Sequence, residues 1–184
     1  SLAETLKNRL HESVEHINND TGAIEDLELG IETIKRRSEG LLKFAETYRN
    51  LNKITQPNLK KIHARDLFET LHQLMQTTLA QKNIELEIIL KDPGMDMQAD
   101  INLVEQLLIS LIMNAMDAVK DKENPRILLS AYKENNKSII KVADNGNGIP
   151  DELLDKIFIP FFSTKKSGSG IGLSLCKQIM LLHK

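Results

Sequence analysis

The feature that most constrains the fold is a run of apolar positions between residues 24 and 53: Leu27, Ile31, Ile34, Ser38, Leu41, Ala45 and Tyr48. Alternating steps of four and three make a heptad seam, and Glu32, Lys35, Arg36 and Glu46 lie off it. Upstream, Leu2, Leu6, Leu10, Val14 and Ile17 mark a second helical face. Asn18-Asn19-Asp20-Thr21-Gly22 breaks the pattern between them with turn chemistry. Two antiparallel helices of this kind cannot bury both apolar faces alone. The expected solution is a four-helix bundle formed by two chains; the competing one packs the hairpin on a globular domain of its own chain.

Gln56-Pro57-Asn58 ends the second helix, because proline restricts the residue before it and cannot continue the ladder. The expected boundary therefore divides a hairpin, residues 1–56, from a globular domain, residues 57–184. In the second part Asp66 is the expected cap of a helix over about 66–82, and Ile84 to Leu90 reads as a strand. A long helix spans about 100–119, then two strands, 126–133 and 138–143, flank a polar Glu134-Asn135-Asn136 turn. A short helix is expected near 151–156 and a last one over about 171–183. The mixture lacks regular βαβ alternation. It predicts an α+β chain whose second part is an α/β sandwich and not a doubly wound sheet.

Three stretches carry chemistry. Ile139, Ile140 and Val142 lead into Asp144-Asn145-Gly146-Asn147-Gly148-Ile149-Pro150. A strand there delivers one carboxylate, expected to be buried, into a loop whose glycines admit positive φ and let a ligand approach the backbone. Such an acid can accept a hydrogen bond from a flat, amino-bearing group such as a purine, although Asn145-Gly146 is equally an ordinary turn dipeptide. The long helix is almost wholly apolar in its middle, yet Ser110, Asn114 and Asp117 fall on one face. Three polar groups there need partners, which hydrated Mg²⁺ with nucleotide phosphates would supply, as would a structural polar cluster. Finally Lys165-Lys166-Ser167-Gly168-Ser169-Gly170-Ile171-Gly172-Leu173 opens the last helix as an anion-binding loop. It has neither the spacing of a phosphate-binding Walker loop nor that of a dinucleotide fingerprint.

Composition narrows the classes. The 184 residues are 27% charged with a net charge of −2, too evenly balanced for a nucleic-acid binder, and there is no Trp to stack bases. One cysteine, Cys176, excludes an intrachain disulfide framework and fits a reducing compartment. Nothing approaches 18 consecutive apolar residues, so the expected location is cytoplasmic, with any membrane anchor outside this stretch. The opening Ser1-Leu2-Ala3, without Met, reads as that of an excised piece.

Together these pieces resemble the catalytic ATP-binding domain of sensor histidine kinases, in the superfamily that also holds DNA gyrase, mismatch-repair ATPases and a heat-shock chaperone. Four boxes stand in the family's order: Asn114, Asp144-x-Gly146-x-Gly148, Phe158–Phe162, and Gly168-x-Gly170-x-Gly172. Upstream, Arg37-Ser38-Glu39-Gly40-Leu41-Leu42 and Tyr48-Arg49 look like the second helix of the kinases' dimerisation hairpin. The resemblance implies that Asp144 binds the adenine amino group and that Asn114 coordinates Mg²⁺. Gly146 and Gly148 would shape the adenine pocket, while Gly168, Gly170 and Gly172 border the phosphates of ATP. It also assigns Asp117, Ile149, Phe158, Ile171 and Leu173 to nucleotide binding. Lys165 is either a phosphate ligand or a solvated lysine of a short lid.

Where hydrolysing members of the superfamily place a glutamate, this chain has Ser110, a far poorer base, which favours phosphoryl transfer over hydrolysis. The family's His-Glu-x-x-x-x-Pro-like acceptor box is missing: His11-Glu12 offers its first letters without the proline. The resemblance thus implies a homodimeric kinase core that phosphorylates a histidine upstream of Ser1 and passes the phosphoryl to a response-regulator receiver domain. No residue of residues 1–184 is expected to be the acceptor, and the sequence also ends before further strands that the family carries. A nucleotide-gated interaction module and a hydrolytic ATPase are the alternatives.

Overall fold

A computed structural model describes residues 27–36, 38–42, 45, 57–165 and 168–183. The chain divides into two compact units, Ser1–Lys53 and Ile54–Lys184. In the first, residues 27–36 and 38–42 are helical, as the heptad spacing predicts. Leu27, Ile34 and Leu41, which share one heptad position, are 50%, 62% and 50% exposed. The expected first helix of the hairpin, residues 1–18, lies outside the described residues.

The second unit contains a two-stranded and a three-stranded sheet. Strand β1 (Lys60–His63) pairs antiparallel with β3 (Asp96–Ala99), in the register Lys61 opposite Gln98 and Ile62 opposite Met97. Strand β2 (Glu85–Leu90) runs parallel to β4 (Arg126–Glu134), which pairs antiparallel with β5 (Lys137–Asp144). Asn135 and Asn136 both adopt positive φ, 48° and 63°, between the paired Glu134 and Lys137. Two left-handed central residues match the twist of the flanking strands, so this polar dipeptide closes a tight hairpin.

Two long helices supply most of the core. Helix α1 (Ala64–Gln81) buries Leu67, Phe68, Leu71, Met75 and Leu79, a three-and-four spacing that makes one stripe. Helix α2 (Ile101–Val119) buries eight residues, among them Leu107, Leu108, Ile112, Ala115 and Val119. Met75, Leu79, Ile84, Ile112, Ala115, Met116, Val119 and Ile127 form one cluster, with Leu86 and Val142 packed against it. Helix α3 (Gly172–Leu182) adds Cys176 and Ile179. Helix α2 is long and apolar enough to span a membrane, but its buried stripe makes it a core helix here.

The start of α2 is fixed by Asp100, which is only 9% exposed. Its Oδ1 accepts from the backbone N–H groups of Asn102 (3.1 Å) and Leu103 (3.4 Å), satisfying donors that the helix leaves orphaned. Its Oδ2 accepts from the Asn58 N–H at 2.9 Å, and its own N–H donates to His183 Nε2 at 3.0 Å. His183 Nδ1 lies 2.8 Å from the Ile179 carbonyl, so the proton sits on Nδ1 and Nε2 is free to accept.

Three local expectations are corrected. His63, not Asp66, occupies the cap position of α1, without a side-chain cap bond, and Asp66 lies within the first turn. The helix expected near 151–156 is a single 3-10 turn, Asp151–Leu153. The β1–β3 ribbon is absent from the sequence reading, since each member is only four residues paired with a distant segment.

Candidate functional site

The site is built on the last two turns of α2. Asn114 is half-buried there, and Asp117, one turn on, is exposed. Gly172, the first residue of α3, lies against this face: a Cβ added to it would meet Ser110 Oγ at 2.7 Å and Asn114 Nδ2 at 3.8 Å. Only a residue without a side chain lets the N-terminus of α3 come this close, and its free N–H groups favour anions. The buried Cys176 thiol donates to the Leu107 carbonyl at 3.7 Å, and burial pushes its pKa up, so it is an inert packing group.

The segment around Phe161 is bound to the one that enters α3. Phe161 has φ of +68°, which is uncommon for a bulky residue, and its N–H donates to the Gly170 carbonyl at 2.9 Å. Gly170 has the same φ of +68°, and a Cβ there would meet the Phe161 and Phe162 carbonyl oxygens at 2.7 Å. Two left-handed residues therefore face each other across the base of the loop. Phe158 is 41% exposed, with the Lys177 ammonium 5.6 Å from its ring centroid. Ile171 is buried, and its carbonyl accepts from Ser174 Oγ at 2.8 Å.

From this loop Lys165 reaches onto α2. Its Nζ donates to Asp117 Oδ2 at 2.7 Å and to Asn114 Oδ1 at 3.2 Å. The Lys165 N–H donates to Ser163 Oγ at 3.1 Å, which turns the chain and presents the lysine. A Cβ on Gly168 would fall on that same serine oxygen.

The third piece comes from β5, whose last residue, Asp144, pairs with Ile127. Asp144 Oδ1 accepts from the Gly146 N–H at 2.9 Å. Asp144 is exposed, which corrects the expectation of a buried acid: the strand ends at the surface. A Cβ on Gly146 would lie 2.7 Å from the Ala118 carbonyl oxygen and 2.8 Å from Ala118 Cβ. The loop is thus pressed onto α2 one residue beyond Asp117. Asn145 anchors it, accepting from the Arg126 N–H at 2.9 Å and donating to the Asn124 carbonyl at 2.7 Å. Gly148 has φ of +71° in open space, and Ile149 beyond it is 47% exposed.

Of the residues singled out in the sequence, Asn114, Asp117, Lys165 and Gly172 come together. Asp144 and Gly146 join them through the end of α2. Gly168, Gly170, Ile171 and Leu173 lie along the loop and the start of α3. Ala118, Asn145 and Ser163 were missed. Ala118 and Asn145 act through contacts between distant segments, which no local spacing announces, whereas Ser163 acts on Lys165 two residues on.

The donor set fits Mg²⁺. Among the described residues no group of three or more His, Cys, Asp or Glu could cage a metal. Mg²⁺ takes few protein oxygens and keeps waters and phosphates as its other ligands, and the Asn114 amide oxygen already faces a cationic group.

Residues 99–184 match the family described as histidine kinase-, DNA gyrase B- and HSP90-like ATPase. Sporulation kinase D of Bacillus subtilis (strain 168) is 29% identical over 133 residues, covering 70% of this chain and 26% of the relative. The signal transduction histidine-protein kinase AtoS of Escherichia coli (strain K12) is 35% identical over 111 residues, 60% of this chain and 18% of the relative. The chain thus spans about a quarter or less of these relatives' length. Among solved structures, the catalytic domain of histidine kinase ThkA superposes with a TM-score of 0.61 at 31% identity, over 66% of this chain and 79% of that one. A crystal structure of ThkA in complex with the response regulator TrrA shares the fold over 96% of this chain and 50% of that one, with a TM-score of 0.62 at 22% identity.

Proposed function

The chain belongs to the histidine kinase-, DNA gyrase B- and HSP90-like ATPases, and we propose that it is the ATP-binding core of a two-component sensor histidine kinase. The observation that carries this reading is the convergence of Asn114, Asp117, Lys165 and Gly172 on one side of the end of α2, with Asp144 and Gly146 on the other. Asp144 receives the adenine amino group beside Gly146 and Gly148. The N–H groups at the start of α3 face the phosphates, with Gly168 and Gly170 shaping the loop above them. Asn114 holds Mg²⁺, which when bound neutralises charge on the phosphates as the phosphoryl group moves.

The fate of the phosphoryl follows from Ser110. It stands one turn before Asn114 and packs against Gly172, where a carboxylate would be needed to take a proton from water. The reaction is therefore transfer of the γ-phosphoryl of ATP to a histidine, without hydrolysis as the main course. The sequence of residues 1–184 has no His-Glu-x-x-x-x-Pro-like box, and in this reading none of its histidines is the acceptor. A response-regulator receiver domain then takes the phosphoryl, and the exposed heptad seam is the homodimer contact. The unit works in the cytoplasm, where ATP is supplied.

Calorimetric titration of MgATP into the wild type and Asp144→Asn tests the reading. A charge-assisted hydrogen bond contributes about 1.5–3 kcal/mol, so the variant is expected to bind about 10- to 100-fold more weakly. Equal affinity in the two proteins, or no binding by the wild type, would overturn the assignment.

A further inference from the structure

Resting on the reading of this pocket as a MgATP site, we propose that Lys165 is the resident cation of the Asn114–Asp117 pair, which the metal must displace when nucleotide binds. The ammonium is 2.7 Å from Asp117 Oδ2 and 3.2 Å from Asn114 Oδ1. The Asn114 side chain has a single oxygen, and a lysine ammonium is a donor only. A dication on that oxygen would stand within a few ångströms of the ammonium, and the repulsion between the two cations sets Lys165 and Mg²⁺ in competition for the site.

The surroundings make the exchange feasible. Lys165 is delivered by a turn closed between its own N–H and Ser163 Oγ, and its carbonyl accepts from the Gly168 N–H at 3.2 Å. The lysine is thus tied to both Ser163 and Gly168. The side chains of Lys165 and Asp117 are 42% and 55% exposed, and ion pairs this open to water are weak enough to exchange readily. Asp117 has two effects: it draws the ammonium onto Asn114, and once the ammonium has left it adds negative charge beside the incoming dication. Without metal, nucleotide meets a loop still tied to α2. With metal, the tie is broken and the loop is released in the same event. Lys165 is in this sense a positioning residue, acting on the loop through Asn114.

The test is the Mg²⁺ dependence of binding, read by calorimetry with a non-hydrolysable ATP analogue on the whole 184-residue chain. Lys165→Met removes the competitor, and the Mg²⁺ concentration giving half-maximal analogue binding is expected to fall about two- to fivefold, the size of a weak exposed pair. Lys165→Arg keeps a cation on the loop and is expected to stay near the wild-type midpoint. An unchanged or raised Mg²⁺ requirement in Lys165→Met overturns the proposal and leaves the nucleotide site standing. Absence of analogue binding by the wild type overturns the site itself, and this inference with it.

Discussion

Gly146 and Gly148 lie two residues apart and must be glycine for different reasons. At Gly146 the obstacle is steric: an added Cβ would lie 2.7 Å from both the Ala118 carbonyl oxygen and Asp144 Oδ1. At Gly148 there is open space, and the obstacle is the φ of +71°. Gly146→Ala is expected to cost about 1–3 kcal/mol, as overpacking does. Gly148→Ala is expected to cost about 1–2 kcal/mol, the penalty for a side chain in the left-handed region. Asparagine tolerates that region, so Gly148→Asn should recover most of the loss and Gly146→Asn none of it. Thermal denaturation midpoints of the four variants check this; equal behaviour at the two positions would show that one constraint governs both. The sequence announced the two glycines and Asp144 by their spacing. It did not announce that Ala118 is the surface against which the loop is pressed, because that contact joins residues 28 apart.

Among the elements, α2 was the most legible and the β1–β3 ribbon the least. The helix combines an apolar stripe with a capping acid immediately before it, two local signals that agree. The ribbon's strands are only four residues each, too short for an alternation to stand out, and it exists through pairing across more than 30 residues. Its charged side chains still leave a measurable trace. Asp96 lies between Lys61, whose Nζ is 2.7 Å from Oδ2, and His63 on the opposite strand. The hydrogen bond from Lys61, and then the charges of His63 and Lys61, outweigh desolvation and hold the Asp96 carboxyl below its ordinary value. A depressed carboxylate stabilises the fold above its unfolded pKa, and that contribution disappears as pH falls through the folded one. The loss therefore sets in below about pH 4, the unfolded value. Asp96→Asn is expected to flatten this part of the acid limb in urea titrations below about pH 4, while stability at neutral pH falls slightly. A limb of unchanged slope would show that another carboxylate carries it.

At the scale of the whole molecule, the heptad seam predicts an interface that a single chain leaves open. Leu27, Ile34 and Leu41 recur every seven residues and are each at least half exposed. A carboxylate in the middle of an apolar seam would be buried without a partner, so Ile34→Asp is expected to convert a dimer to a monomer at micromolar concentration. Light scattering coupled to size exclusion reads this directly, and a variant that remains dimeric would place the contact elsewhere. The α+β character and the order of the site residues were legible because each box carries its own local chemistry. The pairing of Lys165 with Asn114 and Asp117 was not, because it depends on how the loop folds back across about 50 residues.

The same dependence on distant partners gives Asp100 a disproportionate share of the architecture. It receives the segment entering the unit through Asn58, starts the helix that carries Asn114 and Asp117, and binds the end of α3 through His183. A replacement side chain at position 100 must satisfy a chain entrance and a helix start together, while the backbone N–H that reaches His183 is kept by every residue but proline. Asparagine resembles aspartate in shape but replaces one accepting oxygen with a donor, so it meets at most part of that demand. Sequence variation in this unit is thus constrained at a point well removed from the nucleotide, for reasons of architecture and not of chemistry.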